Sequence, residues 1–108
     1  MYKIEKAHPG NVFNFVLLAA HGHTILKSNG FDNVESVKEL IESVKENAPN
    51  MSRYERKTTA DGKFYFNLTN ASGVILGKSQ TYSSEAGMEN GILAVKINAH
   101  SQEIQLPS

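Results

Sequence analysis

Residues 64–68 read Phe64-Tyr65-Phe66-Asn67-Leu68, and 51 positions upstream the chain reads Phe13-Asn14-Phe15-Val16-Leu17. A large apolar side chain recurs at every second residue, so each triplet, Phe13/Phe15/Leu17 and Phe64/Phe66/Leu68, points to one face of a strand. The same offset lays Ala20 and Gly22 on Ala71 and Gly73, Lys27-Ser28 on Lys78-Ser79, and Phe31 on Tyr82. Further on, Ile41, Val44-Lys45 and Asn47-Ala48 meet Ile92, Val95-Lys96 and Asn98-Ala99 without a gap. Upstream the offset becomes 52, pairing Tyr2 with Tyr54 and Gly10 with Gly62. The first copy therefore carries one extra residue near Asn11 or Val12, in a turn, where insertion costs least. The matched positions are aromatic, aliphatic or glycine, the types a shared core imposes. The chain reads as one domain built from two tandem units, about 1–51 and about 52–108.

Within each unit the strand ends at a glycine suited to a hairpin, His21-Gly22 and Ser72-Gly73. Return strands follow at Thr24–Lys27 and Val74–Gly77. Asp61-Gly62 and Pro9-Gly10 mark the turns that precede the Phe-rich strands. The period then changes. Val34, Val37, Ile41, Val44 and Ala48 form one stripe of a helix, with Asp32 or Asn33 to cap it and Glu35 at the positive end of its dipole. Met88, Ile92, Val95 and Ala99 form the second stripe, on a helix from about Ser84 to Asn98. Gly87 and Gly91 inside it cost about 1 kcal/mol each relative to alanine, so close approach by a bulky neighbour at Gly91, an aromatic from the sheet, is the expected compensation. Arg53–Thr58 closes the first unit and opens the second, and Gln102–Leu106 is the last strand. The reading is an α+β fold with one antiparallel sheet, two helices on one face and a pseudo-twofold relation between the halves.

Composition narrows the function classes. A chain of 108 residues, 40% hydrophobic and 20% charged, is ordinary globular material with one core. It contains no cysteine, which excludes disulfides, thiolate nucleophiles and Cys-ligated zinc and fits a reducing compartment. Eleven basic and eleven acidic side chains cancel, which disfavours general nucleic-acid binding. No apolar run has the length of a membrane span, and the first residues lack the apolar core of a signal peptide, so the expected location is the cytosol.

With these motifs the chain resembles the YegP-like family of proteins of unknown function, over essentially its whole length. The resemblance rests on the repeated Phe-x-Phe-x-Leu strand, the Gly-ended hairpin, the aromatic before each helix, and Asn90-Gly91-Ile92 with Val95-Lys96. Its most specific part is Tyr54-Glu55-Arg56-Lys57-Thr58 followed by Gly62-Lys63-Phe64-Tyr65-Phe66-Asn67-Leu68. The resemblance implies tandem β3-α-β units in a single sheet, with their final strands exchanged between units. It brings no catalytic residues with it. The first helix departs from the pattern, with Glu39-Leu40-Ile41 where the family shows Asn-Gly-Ile.

The residues themselves carry no signature of catalysis, and no enzyme activity and no cofactor are expected. His21 and His23 flank a tight turn without the third ligand a zinc site needs. Neither His8 nor His100 has a nameable orienting partner, and no serine sits in a nucleophile elbow. Lys63 to Phe66 has the basic and aromatic flavour of an RNA-binding strand, but the repetition of its aromatics in the other unit marks them as core. Two helices cover one face of the sheet, which leaves the other for function. Side chains of opposite parity point there: Asn14, Val16 and Leu18 in the first unit, Tyr65, Asn67 and Thr69 in the second. The expected function is a non-enzymatic interaction module using Val16, Leu18, Tyr65 and Asn67 to meet a protein partner or a second copy. Binding of a small ligand at the open face or the seam between units is the alternative. Nucleic-acid binding through Arg53 to Lys63 ranks last.

Overall fold

The computed structural model describes residues 1–7 and 10–107. Strands β1 (Tyr2–Ala7), β2 (Val12–Leu18) and β3 (Thr24–Lys27) lead into helix α1 (Val34–Asn47). A 3-10 turn (Met51–Arg53) then opens β4 (Tyr54–Thr58), β5 (Phe64–Thr69) and β6 (Ile75–Lys78), followed by helix α2 (Glu85–Asn98) and a short β7 (Ile104–Gln105). The turns sit where the glycines place them: Gly22, Gly62 and Gly73 have φ of 89°, 83° and 84°. The turn expected at Pro9-Gly10 lies partly outside the described residues; Gly10 has φ of 109°. Strand β6 begins at Ile75 rather than Val74, because the Val74 amide donates to Asn70 Oδ1 (3.0 Å) and stays in the turn.

Asn33 rather than Asp32 caps α1, its Oδ1 accepting from the Ser36 amide at 2.8 Å, while Ser84 Oγ accepts from the Gly87 amide at 3.0 Å to cap α2. The predicted stripes face inward: Val37, Ile41, Val44 and Ala48, with Met88, Ile92, Val95 and Ala99, join Phe15, Leu17, Phe66 and Leu68 in one core. Phe13 and Phe64 pack against its rim, half-buried. Tyr82 is the aromatic over Gly91: a Cβ built there would collide with its hydroxyl and lie 2.6 Å from its Cζ. Tyr82 bridges to Phe64 outside any named strand, at the entry to α2. In the first unit Leu40 replaces that glycine and Phe31 replaces the tyrosine, and both pack against the core.

All strands lie in one sheet, ordered β4-β5-β6-β3-β2-β1-β7. The order is symmetric about the β3–β6 junction, where the repeat-equivalent residues Lys27 and Lys78 pair antiparallel. The sheet is mixed, not antiparallel throughout, because β7 runs parallel to β1. Pseudo-symmetry accounts for this. The chain leaving α1 pairs with β5 as β4; the chain leaving α2 would pair the same way with β2, but β1 already holds that place. It therefore lies outside β1 and in the same direction. The units are exchanged through this arrangement. Tyr54 donates from its hydroxyl to the Ala48 carbonyl at the end of α1 (2.8 Å), and Tyr2 to the Ala99 carbonyl at the end of α2 (2.6 Å). Burial pushes both phenols well above their ordinary value near 10.

The junction also breaks the symmetry. Leu26 and Gly77 are repeat equivalents, and a Cβ on Gly77 would lie 2.7 Å from Leu26 Cγ. Two leucines cannot share the space beside the axis. One side supplies the leucine and the other a glycine.

Candidate interaction surface on the open sheet face

In both hairpins the register slips by one residue, after Leu17 and after Leu68. The slip is a bulge that lets Ile25 and Leu26 both enter the core, although they are consecutive on a strand. On the near side of the bulges the ladder is regular. It places one residue from every strand in a single row: Gln105, Lys3, Val16, Lys27, Lys78, Asn67 and Glu55. The parity of this row is opposite to Tyr2, Phe15, Leu17, Leu26 and Leu68, so it lies on the face that neither helix covers.

The four predicted residues divide on this face. Val16 lies in the row but is only 5% accessible, with Lys3 and Lys27 as its cross-strand partners. Asn67 is 6% accessible and its Nδ2 donates to Glu55 Oε1 at 3.2 Å. Tyr65 is half-buried with the Lys78 ammonium 4.6 Å from its ring centroid, a cation–π contact. Leu18 is half-buried at the end of β2, where its amide donates to the Met1 carbonyl. Val16 therefore presents little apolar surface on this face. The exposed members of the row are Gln105, Lys3, Lys27, Lys78 and Glu55, so three lysines stand against one glutamate. Parity reasoning on β2 and β5 alone missed the lysines; the match of Lys27-Ser28 to Lys78-Ser79 was the signal that could have drawn attention to Lys27 and Lys78.

Chain neutrality conceals a separation of charge. The helices carry Glu35, Glu39, Glu42, Glu46, Glu85 and Glu89 against Lys38, Lys45 and Lys96. The strands carry Lys3, Lys6, Lys27, Arg56, Lys57 and Lys78 against Glu5 and Glu55. The basic segment around β4 is itself split. Arg56 forms a two-pronged pair with Glu89 of α2 (2.6 and 2.9 Å), and Arg53 Nε donates to Asn47 Oδ1 (3.1 Å). At the seam, Lys27, Ser28, Asn29, Lys78 and Ser79 line a shallow hollow of about 280 Å³. Its serine hydroxyls are committed: Ser28 and Ser79 accept from the Phe15 and Phe66 amides and donate to the carbonyls of Asn29 and Gln80. Among the described residues no three His, Asp or Glu side chains converge as a metal-ligand set.

The fold defines a class: a duplicated α+β unit whose halves share one sheet and trade their closing strands. The chain belongs to the family described as "Domain of unknown function (DUF1508)", whose model matches it twice, at residues 10–55 and 60–105. Each match runs from the turn before the Phe-rich strand into the segment that follows the helix, so the first match ends on Tyr54 and Glu55 of β4, a strand that pairs with β5 of the second. The UPF0339 protein YegP of Escherichia coli strain K12 is 45% identical over 95 residues, 88% of this chain and 86% of that one. The solution NMR structure of YegP from E. coli, a protein of unknown function, superposes with a TM-score of 0.90 at 42% identity, covering 97% of this chain and 90% of that one. The solution NMR structure of UPF0339 protein SO3888 from Shewanella oneidensis does so with a TM-score of 0.90 at 37% identity, covering 97% and 88%.

Proposed function

We propose that this chain is a small, non-enzymatic, cytosolic interaction module whose open sheet face receives an acidic segment of a partner protein. The observation that carries the reading is the direct opposition of Lys27 and Lys78 at the centre of the uncovered face. Like charges placed opposite each other on neighbouring strands destabilise a sheet by a few tenths to about 1 kcal/mol. A cost kept at the centre of an open face is the mark of a surface tuned for a contact rather than for stability. Lys3 extends the cationic row beyond Val16. A second copy docked by this same face would bring the lysines against each other, so the occupant is a different, acidic surface. The shallow seam and its spent hydroxyls favour a macromolecular contact over a small ligand. The absence of cysteine suits a reducing compartment, and no helix among the described residues is long and apolar enough to cross a membrane.

Titrating the protein at low salt with an octaglutamate peptide and with a single-stranded oligonucleotide of equal charge tests the reading. Peptide binding that Lys27→Glu/Lys78→Glu abolishes while the fold persists is the expected result. Tighter binding of the oligonucleotide, or peptide binding unchanged in the folded variant, overturns it.

A further inference from the structure

The duplication supplies an internal control for every surface position, and one helix face fails it. On α1 the outward stripe is Glu35, Glu39, Glu42 and Glu46, the charged surface a solvated helix requires. The residues 51 positions on, at equivalent places on α2, are Ala86, Asn90, Leu93 and Ile97. All four are exposed, with Leu93 at 50% and Ile97 at 78% accessibility. The stripe carries no charge. At its end Ile97 borders an open notch of about 420 Å³ that Met1, Leu18, Ala19 and Ala20 also line. The corresponding place in the other half is polar and occupied, with Arg53 bonded to Asn47.

We propose that the α2 stripe is a self-association surface, on which a second copy of this chain packs its own α2 antiparallel. The pattern is self-complementary. In an antiparallel pair about a twofold axis, Ala86 lies opposite Ile97 of the second copy, and Asn90 opposite its Leu93, so each large side chain meets a small or polar one. Glu85 in the first turn of one helix approaches the last turn of the other, which carries Lys96, so the flanking charges are opposite in sign. The same pairing through α1 would set four glutamates against four. This surface is separate from the open sheet face and does not depend on the function proposed for it. The stripe from residue 86 to 97 is only about 17 Å long. Stable interfaces cover about 800 Å² per partner, so the association is weak and appears at high concentration.

Sedimentation velocity from about 10 μM to about 1 mM, a range that brackets the affinity of small interfaces, reads the association directly. The wild-type sedimentation coefficient is expected to rise with concentration towards that of a dimer. Leu93→Glu/Ile97→Glu copies the α1 residues onto α2, positions where this fold already accepts glutamate, and is expected to stay monomeric with an unchanged circular dichroism spectrum. Lys27→Glu/Lys78→Glu is expected to associate as the wild type does, which separates this surface from the sheet face. A wild-type chain that stays monomeric throughout, or a folded Leu93→Glu/Ile97→Glu variant that associates as before, overturns the proposal.

Discussion

Exchanging Leu26 and Gly77 inverts the asymmetry at the centre of the molecule, and its energetics follow from the packing there. Leu26 is fully buried, and its Cγ, Cδ2 and Cδ1 lie 2.7, 2.9 and 3.2 Å from where a Cβ on Gly77 would stand. Leu26→Gly empties that space. The lost side chain costs about 2–5 kcal/mol, and a glycine within a strand adds about 0.5–1 kcal/mol. Gly77→Leu drives a second leucine into occupied volume, at about 1–3 kcal/mol or more. If the halves are related by a pseudo-twofold axis, the exchanged pair Leu26→Gly/Gly77→Leu returns one leucine and one glycine to the junction, with the leucine approaching from the other side. Total volume is conserved, so the exchange is expected to cost less than about 1.5 kcal/mol. The two single costs therefore fail to add, with a coupling of at least about 2 kcal/mol. Urea unfolding of the four chains, followed by circular dichroism, measures this term. An exchanged chain as unstable as the sum of the two single variants would refute the symmetric junction.

Lys27→Glu turns a like-charge pair at the sheet centre into an opposite-charge pair, so it is expected to raise stability by a few tenths to about 1 kcal/mol in urea while weakening binding of acidic peptides. A fall in stability there would show that the lysines are not in opposition. Tyr2 and Tyr54 keep their protons in the folded state above the pH at which an unfolded chain releases them, because burial raises both. Their contribution to stability is intact below about pH 10 and is lost as pH rises beyond it, by up to about 1.4 kcal/mol per pH unit for each phenol. Tyrosinate absorbance from these two residues should then appear together with the loss of the far-ultraviolet signal; its appearance in the folded chain would contradict their burial. Gly91→Leu is expected to destabilise by about 1–3 kcal/mol through collision with Tyr82. Adding Tyr82→Phe, which recreates the Phe31/Leu40 pair of the first unit, should recover part of the loss in thermal unfolding, and no recovery would mean that the two packings are not interchangeable.

Much of the architecture was legible because duplication doubles the signal: a stripe seen twice, Val37/Ile41/Val44 and Met88/Ile92/Val95, is hard to misplace. Gly91 announced an aromatic neighbour through its cost alone; that neighbour is Tyr82, which comes from the connection into α2 rather than from a strand of the sheet. Three features were hidden. The parallel β7 depends on which strand already holds the place beside β2, a question of occupancy rather than of pattern. The bulges after Leu17 and Leu68 break period-2 parity on β3 and β6, so Lys27 and Lys78 could not be assigned to a face by counting. Val16 looked like an open apolar residue because parity says which face a side chain takes, not how deeply it is buried there. The helix stripe of Ala86, Asn90, Leu93 and Ile97 was available from the repeat alignment alone, but its meaning required knowing that Glu35, Glu39, Glu42 and Glu46 face solvent.

Residue-by-residue amide shift mapping of the isotope-labelled protein during titration with octaglutamate puts the proposed contact face to its sharpest trial. Perturbations should gather on Lys3, Val16, Lys27, Lys78 and Asn67, the row that spans the uncovered strands. Shifts confined to α1 and α2, with that row silent, would place the contact on the opposite side of the molecule and contradict the account.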